Sequence, residues 1–271
     1  MIDQLAKAIQ FRDFHARPQP LLLPNPWDAG SARLFEHLGF EAQATTSLGA
    51  SAIRGTTRAA AEPILENIRA ICEATDLPVN ADLENCFADD PTAAAEMIGR
   101  ACEAGAVGGS IEDATGIRDD PIYEFSLTVE RVQAAVEAAR AQPVPFMLTA
   151  RAEGLLHRDP DIDDVIERLL AFEKAGADCL YAPGLKTIAE MKLVMDAVST
   201  PVNVVMGFAD PNITLPELAE IGVRRISIGA GLYRVAFRSA LEAAQQMKDG
   251  RFNFISDMIG ARELRAAFGE G

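Results

Sequence analysis

The sequence predicts a single α/β domain, a (β/α)8 TIM barrel with one additional helix at each end of the chain. Three observations predict this fold class. Eight short apolar runs alternate with eight longer amphipathic segments. The first run follows a proline, the second a glycine, and this alternation continues to the eighth run. The length of 271 residues suits one closed barrel, which typically takes about 250 residues. Because strands that alternate with helices run parallel, we expect an eight-stranded parallel sheet wrapped by helices.

The apolar runs are the predicted strands, and the amphipathic segments between them are the predicted helices. The strands are expected at 21–25, 41–46, 78–82, 107–112, 144–150, 178–183, 201–206 and 224–229. The helices are expected near 28–38, 62–75, 91–104, 126–141, 161–175, 186–198, 214–221 and 231–248. In the segment 161–175 the apolar side chains cluster on one side, as a helix that packs on a sheet requires.

Glycine and proline mark where the predicted strands begin. Strands two, four, six and eight each follow a glycine that ends a helix: Gly39, Gly105, Gly176 and Gly222. A glycine there can adopt the left-handed conformation that closes a helix C-terminus. The other four strands follow a proline, as the first residue of a strand allows: Pro20, Pro78, Pro145 and Pro201. The chain thus contains four pairs of strands, in each of which the first strand follows a proline and the second follows a glycine. This regular repeat favours a closed ring over the alternative, an open doubly wound sheet.

Two segments of the single domain 1–271 lie outside the ring, which spans 20–248. Residues 1–16 are predicted to form a helix that covers the bottom of the barrel. Residues 252–268 are predicted to form a C-terminal helix with an apolar face, which a barrel does not require. We expect that face to pack on another surface, such as a second subunit.

The charge and composition exclude several classes of function. The formal net charge of −15 argues against nucleic acid as a partner, because binding phosphates needs clustered lysine and arginine. It would also repel a small acidic substrate unless a metal or an arginine reverses the field inside the pocket. No run approaches the roughly 20 apolar residues of a membrane span. The start lacks a signal-peptide pattern and the four cysteines lack metal-binding spacing, so we expect a soluble, cytoplasmic protein.

Acidic residues follow two neighbouring predicted strands, at the barrel face where reacting groups lie. Asp82 and Glu84 follow strand three, and Glu112 ends strand four. The period-two rule puts Asp82 and Glu84 on the same side of the strand. We expect the three carboxylates to hold a hard cation, Mg²⁺ or alternatively Mn²⁺. The other interpretation is that Asp82 or Glu112 only caps the helix or loop that follows.

Arg151 ends strand five and faces these acids. We expect it to hold a substrate carboxylate through two hydrogen bonds, although a salt bridge to Glu153 or to a barrel carboxylate is the alternative. The turn that begins at Ser47 offers backbone N–H groups to an oxyanion. Trp27 either lines the pocket or plugs the barrel rim. No histidine sits beside a nucleophile, so a Ser-His-Asp hydrolase is not expected.

Six short motifs, in order along the chain, resemble those of the isocitrate lyase and phosphoenolpyruvate mutase superfamily. They are the segments 23–33, 45–49, 78–84, 110–113, 149–151 and 181–184. The resemblance implies that Asp82, Glu84 and Glu112 bind Mg²⁺, some of them through water. It implies a substrate-binding set in which Ser47 and Arg151 are also the catalytic residues: Trp27, Thr45, Ser47, Leu48, Gly49 and Arg151.

The resemblance further implies a homo-oligomer, a dimer or a tetramer, that exchanges its C-terminal helix between subunits. Two departures from the family pattern bear on the reaction. The loop after strand four, 114–120, has no cysteine or histidine, which argues against isocitrate-type cleavage. Arg58 stands where many members carry an aspartate, which argues against the mutase and hydrolase chemistries that use it.

The function that we expect is therefore a Mg²⁺-dependent carbon–carbon lyase. It would cleave a small anionic 2-oxo or 2-hydroxy di- or tricarboxylate through an enolate, and decarboxylation of oxaloacetate is the simplest version. One alternative is an enzyme that makes or breaks the P–C bond of phosphonopyruvate, as a mutase or a hydrolase. Another is a barrel that binds a keto acid without catalysis.

Overall fold

The computed structural model describes residues 3–157 and 161–269, in which eight strands form one parallel sheet. The strands, β1 to β8 in chain order, are Leu21–Leu23, Gln43–Ala44, Val79–Ala81, Gly108–Glu112, Met147–Arg151, Cys179–Tyr181, Val202–Val205 and Arg225–Ser227. Seven of them fall within the predicted runs, and β5 extends one residue past the predicted end at 150. All eight are shorter than predicted, because the outer residues of a run continue into the loops. The first two residues of the predicted N-terminal helix lie outside the described residues.

The sheet curls into a ring. The strands lie in the order β1-β8-β7-β6-β5-β4-β3-β2 across the sheet. The strand β1 pairs with β8, and β1 and β2 are therefore the two edge strands. The Ala44 N–H donates to the carbonyl of Pro24 at 3.1 Å, which joins β2 to the end of β1. This bond brings the two ends of the sheet together. The prediction of a (β/α)8 barrel is confirmed, and the open doubly wound sheet is excluded.

Helices surround the ring and extend beyond it at both chain ends. They are α1 Gln4–Ala16, α2 Ala29–His37, α3 Ser47–Ala52, α4 Ala61–Ala74, α5 Pro91–Glu103, α6 Phe125–Arg140, α7 Gly154–His157, α8 Ile162–Ala175, α9 Ile188–Ala197, α10 Leu215–Glu220, α11 Gly231–Lys248 and α12 Ala261–Ala267. The eight predicted barrel helices are all present. Two short helices, α3 and α7, follow β2 and β5 directly and were not predicted, because they are too short to show a periodic pattern.

The four glycines that precede even-numbered strands have the predicted left-handed conformation, with φ between 85° and 102°. Gly176 shows the consequence, since it ends α8 and its N–H donates to the carbonyl of Phe172. A residue with a side chain would be strained there. The main core lies between the sheet and its helices. At the bottom of the barrel, Phe11 of α1 packs with Leu21, Val107 and Met147, so the N-terminal helix closes that end as predicted.

The C-terminal segment differs from its prediction. Instead of one helix over 252–268, the chain forms a short 3-10 helix, Asn253–Asp257, and then α12. The break follows from Met258 and Gly260, whose backbones are extended, with ψ of 138° and 145°. In this chain α12 lies against α2, and Arg33 Nη1 donates to the carbonyl of Phe268 at 2.6 Å.

None of the helices in 3–157 and 161–269 combines the length and the apolar character that a membrane-spanning helix requires.

Candidate active site

A cavity of about 400 Å³ opens at the carboxyl ends of the strands. Its wall includes most of the residues predicted to bind metal or substrate: Thr45, Ser47, Leu48, Asp82, Glu84, Glu112 and Arg151. Trp27 and Gly49, which were predicted with them, are not among the residues that line it. The ring of Trp27 packs against Phe35 of α2 instead, with ring centroids 6.2 Å apart. Gly49 has no space for a side chain, since a Cβ would lie 2.8 Å from that of Trp27.

Asp82 is held in place by the loop that follows β2. Its backbone N–H donates to Thr45 Oγ1 at 2.9 Å, and its Oδ2 accepts the backbone N–H of Ser47 at 2.9 Å. Both contacts come from the small-residue segment 45–51, whose first turn of helix starts at Ser47. The N–H of Ser47 is therefore committed to Asp82, and that of Gly49 to Thr46 Oγ1. Of the backbone N–H groups of Ser47, Leu48 and Gly49, all in the predicted substrate-binding set, only that of Leu48 has no protein acceptor within the described part of the chain.

Glu84 reaches the cavity by a route that the sequence did not predict. The strand β3 ends at Ala81, so the period-two alternation does not extend to residue 84. Glu84, Cys86 and Phe87 instead have φ values of 50°, 59° and 56°, which only a tight, strained turn imposes on residues with side chains. The turn brings the Glu84 carboxylate to the cavity wall, near Asp82 and the Ser47 side chain.

Arg151 lies at the centre of the acidic residues. Its Nη1 is 2.9 Å from Asp82 Oδ1, its Nη2 is 3.1 Å from Glu112 Oε2, and its Nε is 2.8 Å from Glu153 Oε1. The guanidinium also lies 4.9 Å from the ring centroid of Tyr181. The salt bridge that was the alternative role of Arg151 is thus present. Each of its three nitrogens contacts a carboxylate in this arrangement.

Burial and mutual repulsion dominate the electrostatics of the site. Burial is the main cause that raises the pKa of Glu112 well above its usual value, and burial followed by the charge of Asp82 raises that of Glu84. Burial alone would lower the pKa of Arg151, but Glu153, Glu112 and Asp82 raise it well above its ordinary value. These directions follow from removing carboxylates from water while only one buried cation faces them.

The carboxylates that line the cavity are suitable ligands for a hard divalent cation. Four carboxylates, those of Asp82, Glu84, Glu112 and Glu153, line the cavity with three guanidinium groups. One of these, Arg225, lies deeper in the barrel, so at the mouth the four carboxylates face only Arg151 and Arg58. Carboxylate oxygens are the ligands that Mg²⁺ prefers. Among the described residues, however, no three such side chains are already spaced around one point as ligands. Arg151 explains this spacing, because it lies between Asp82 and Glu112.

The second guanidinium belongs to Arg58, in the loop between α3 and α4. Its Nε lies 3.7 Å from Glu84 Oε2 and its Nη1 lies 3.5 Å from the carbonyl of Gly116, so both contacts are long. The side chain is 55% exposed and lines the mouth of the cavity. Arg58 therefore joins the loop after β2 to the loop after β4, directly above the carboxylates.

Sequence reasoning missed several residues that line the site. Tyr181 and Asn203 point inward from β6 and β7, and Arg225 does so from β8. Their register gave a usable signal, because Arg151 pairs with Tyr181, Tyr181 with Asn203, and Asn203 with Arg225. Residues in register with an inward-facing residue on a neighbouring strand also face inward.

Comparison with known proteins agrees with this architecture. The sequence pattern of the phosphoenolpyruvate phosphomutase family matches residues 11–248. A Burkholderia cenocepacia J2315 protein with a provisional lyase/mutase designation has a crystal structure that is similar to this chain, with a TM-score of 0.95 and 49% sequence identity. The match covers 98% of this chain and 96% of that protein.

Two named enzymes are similar at lower identity. The 2-methylisocitrate lyase of Escherichia coli K12 is 28% identical over 253 residues, which cover 88% of this chain and 81% of that enzyme. The oxaloacetate decarboxylase of Pseudomonas fluorescens SBW25 is 25% identical over 266 residues, or 94% of this chain and 88% of that enzyme. With its barrel, the order of its motifs and the family match over most of its length, the chain belongs to the phosphoenolpyruvate phosphomutase family.

Proposed function

We propose that this protein is a Mg²⁺-dependent lyase that cleaves a C–C bond beside a 2-oxo or 2-hydroxy carboxylate, in a small di- or tricarboxylic acid. The observation that carries the proposal is the imbalance of charge at the cavity mouth, where four carboxylates face Arg151 and the half-exposed Arg58. A dianionic substrate would be repelled by this set unless a divalent cation joined it. Relatives named for such reactions support the substrate class.

Asp82, Glu84 and Glu112 would hold the cation. When bound, the cation supplies a fixed positive charge beside the substrate oxygen on which negative charge develops. With Asp82 and Glu112 turned toward that charge, Arg151 would lose two of its three carboxylate partners and could pair with a substrate carboxylate. The Ser47 hydroxyl and the Leu48 N–H would donate to the substrate's remaining oxygens.

The loop after β4 favours decarboxylation over the other cleavages. From the loop 114–122, Ala114 and Gly116 line the cavity, and neither has a proton to give to a leaving group. Cleavages that release a second carboxylic acid need such a proton donor, whereas departing CO₂ does not. Oxaloacetate, whose decarboxylation yields pyruvate, is therefore the first substrate to test.

The test is a panel of acids incubated with the purified protein and Mg²⁺. We expect pyruvate from oxaloacetate, measured with lactate dehydrogenase, at a rate above that of Mg²⁺ alone and abolished by EDTA. Absence of a keto-acid product from oxaloacetate, 2-methylisocitrate and 2,3-dimethylmalate would contradict the proposal. Phosphate release from phosphonopyruvate would favour the P–C bond alternative. Thermal stabilisation by Mg²⁺ with oxalate, without turnover of any acid, would favour a binding protein.

Arg58 is the cation best able to receive the distal carboxylate of the substrate, because its two protein contacts are long. Replacing it by glutamine is expected to raise KM about 10- to 100-fold, as for loss of one charge-assisted hydrogen bond of roughly 1.5–3 kcal/mol, while kcat changes less. Steady-state kinetics measure the split. The matched control is Arg54→Gln, which removes an arginine of the same loop that contacts Ala50 and Glu66 instead. Equal effects of the two variants would refute the role of Arg58.

We also propose that the chain is a homo-oligomer in which another subunit covers α11. None of the 18 residues of this helix is buried, and Leu241 and Val235 are 68% and 65% exposed. Apolar side chains on a surface that extends along a whole helix typically mark an interface. We expect light scattering to show a dimer or tetramer that Leu241→Glu dissociates and Leu193→Glu, on α9, does not. A wild-type protein that elutes as a single subunit would contradict this assembly.

A further inference from the structure

We propose that the floor of the cavity is a second anion-binding subsite, built around Arg225, which takes a compact anion: a halide ion or the carboxylate of a bound acid. This subsite lies below the carboxylates and Arg151. It is independent of the proposed reaction, because it concerns binding at a place where no bond need break.

Arg225 is the first residue of β8 and its side chain extends across the interior of the barrel. Its Nε donates to Asn203 Oδ1 at 2.9 Å, and its Nη2 donates to Thr149 Oγ1 at 2.9 Å. The remaining nitrogen, Nη1, is buried and has no hydrogen-bond partner. The residue is 3% exposed and yet contributes to the cavity wall. A buried donor without an acceptor is unfavourable, so Nη1 is positioned for an acceptor from outside the protein.

The charge of Arg225 is also uncompensated. Both of its partners are neutral, and no carboxylate of the described residues lies within 4.0 Å of it. Arg168 provides the comparison, since it is equally buried and pairs with Asp113 at 3.2 Å. Buried charges in proteins are normally paired with an opposite charge. The missing counter-charge points to an anionic ligand rather than to water alone.

Two further polar groups at the floor agree with this interpretation. Asn80 lines the cavity, is 4% exposed, and its Oδ1 has no partner. Rotation of its amide, which exchanges the positions of the oxygen and nitrogen, would present Nδ2 as a second donor. His15 lies below, bonds the carbonyl of Phe11 through Nδ1, and supplies no negative charge. Burial, followed by the charge of Arg225, lowers its pKa to about 4.

The depth of the subsite separates it from the acidic residues. Arg225 contacts β5 at Thr149, two residues before Arg151, and two residues of a strand span about 7 Å. The cavity volume of about 400 Å³ is many times the roughly 30 Å³ of one water molecule. A small acid at the mouth and a compact anion at the floor can therefore be present together, or one longer acid can reach both.

Crystals of the unaltered protein test the proposal directly. Soaking in bromide and collecting data at its absorption edge is expected to give an anomalous peak within hydrogen-bond distance of Arg225 Nη1. Crystals grown with malonate distinguish the second source of the anion, because a carboxylate group would then occupy the same place. Water alone at Nη1 in both crystals, or an Arg225 side chain turned to a protein carboxylate, would overturn the proposal.

Melting temperatures in solution give a second measurement. With increasing bromide at constant ionic strength, the wild-type protein should be stabilised, and the increment should vanish in Arg225→Gln. Arg224→Gln is the matched control, because the neighbouring arginine bonds the carbonyl of Pro18 and is not part of the cavity wall. Equal bromide increments in all three proteins would refute the subsite. Since neither measurement uses turnover, an inactive protein that binds bromide at Arg225 would refute only the proposed reaction.

Discussion

Replacing Asp82 by asparagine is expected to lower kcat/KM for the keto-acid substrate about 1,000-fold. The side chain keeps its size and can still accept the N–H of Ser47, but it loses the charge that would hold the cation. A metal ion contributes several kcal/mol to stabilising developing charge, and each 1.36 kcal/mol corresponds to about a factor of ten in rate. We also expect the wild-type protein to melt at a higher temperature with Mg²⁺ than without it, and the variant to lose this increase. Steady-state kinetics and thermal unfolding with and without Mg²⁺ measure the two effects.

The control for this variant is Glu96→Gln, which removes one negative charge from the exposed face of α5. It should leave both the rate and the response to Mg²⁺ unchanged, because exposed charges far from the site are screened. An Asp82→Asn protein with wild-type activity would show that the carboxylate cluster does not hold the cation. In that case the cluster would be a purely structural ion-pair network around Arg151.

A second large effect is expected for Asp113→Ala, on stability rather than on chemistry. Asp113 accepts the N–H of Glu153 at 2.7 Å and pairs with Arg168 at 3.2 Å, and the two side chains of the pair are 0% and 4% exposed. Removing the carboxylate leaves the buried Arg168 with only the partly exposed Asp164 as a counter-charge, so we expect a cost of about 3 kcal/mol, the lower end of the range for breaking a buried pair. For a protein of this size we expect the melting temperature to fall by about 10 °C.

Two further variants separate this buried pair from ordinary surface charges. Asp196→Ala removes one partner of an exposed pair with Lys192 and should change the free energy of unfolding by less than about 1 kcal/mol. The double replacement Asp113→Ala with Arg168→Met should recover part of the lost stability, because no buried charge then remains. Chemical denaturation measures all three variants. An Asp113→Ala protein as stable as the Asp196→Ala protein would contradict the assignment of a buried, energetically important pair.

Much of the fold followed from the sequence because its signals are local and repeated. The glycines at 39, 105, 176 and 222 ended helices in the predicted conformation, and the alternation of strands and helices was regular enough to predict the ring. The break at Met258–Gly260 was not predicted, because the apolar residues on either side of it suit one helix as well as two pieces. Apolar periodicity cannot locate a break in a helix when the residues on both sides of the break show the same pattern.

The site was only partly predictable for a different reason. Strand ends identified Asp82, Glu112 and Arg151 as neighbours, since the carboxyl ends of parallel strands meet at one face. The pairing of Arg151 with three carboxylates at once depends on side-chain directions, which spacing does not specify. The contribution of Arg225 was hidden because the start of a strand is usually structural in a barrel, and its register with Asn203 and its missing hydrogen-bond partner are visible only in the structure.

The turn that carries Glu84 depends on a residue outside the barrel wall. Arg131, on the outer helix α6, donates to the backbone carbonyls of Asn85 and Asp89, each at 2.6 Å, and so fixes the left-handed segment between them. A designer who moved the acidic loop into another barrel would have to transfer this helical arginine as well. If the proposed cation binds here, substitution of Arg131 would therefore weaken its binding even with Asp82, Glu84 and Glu112 unchanged.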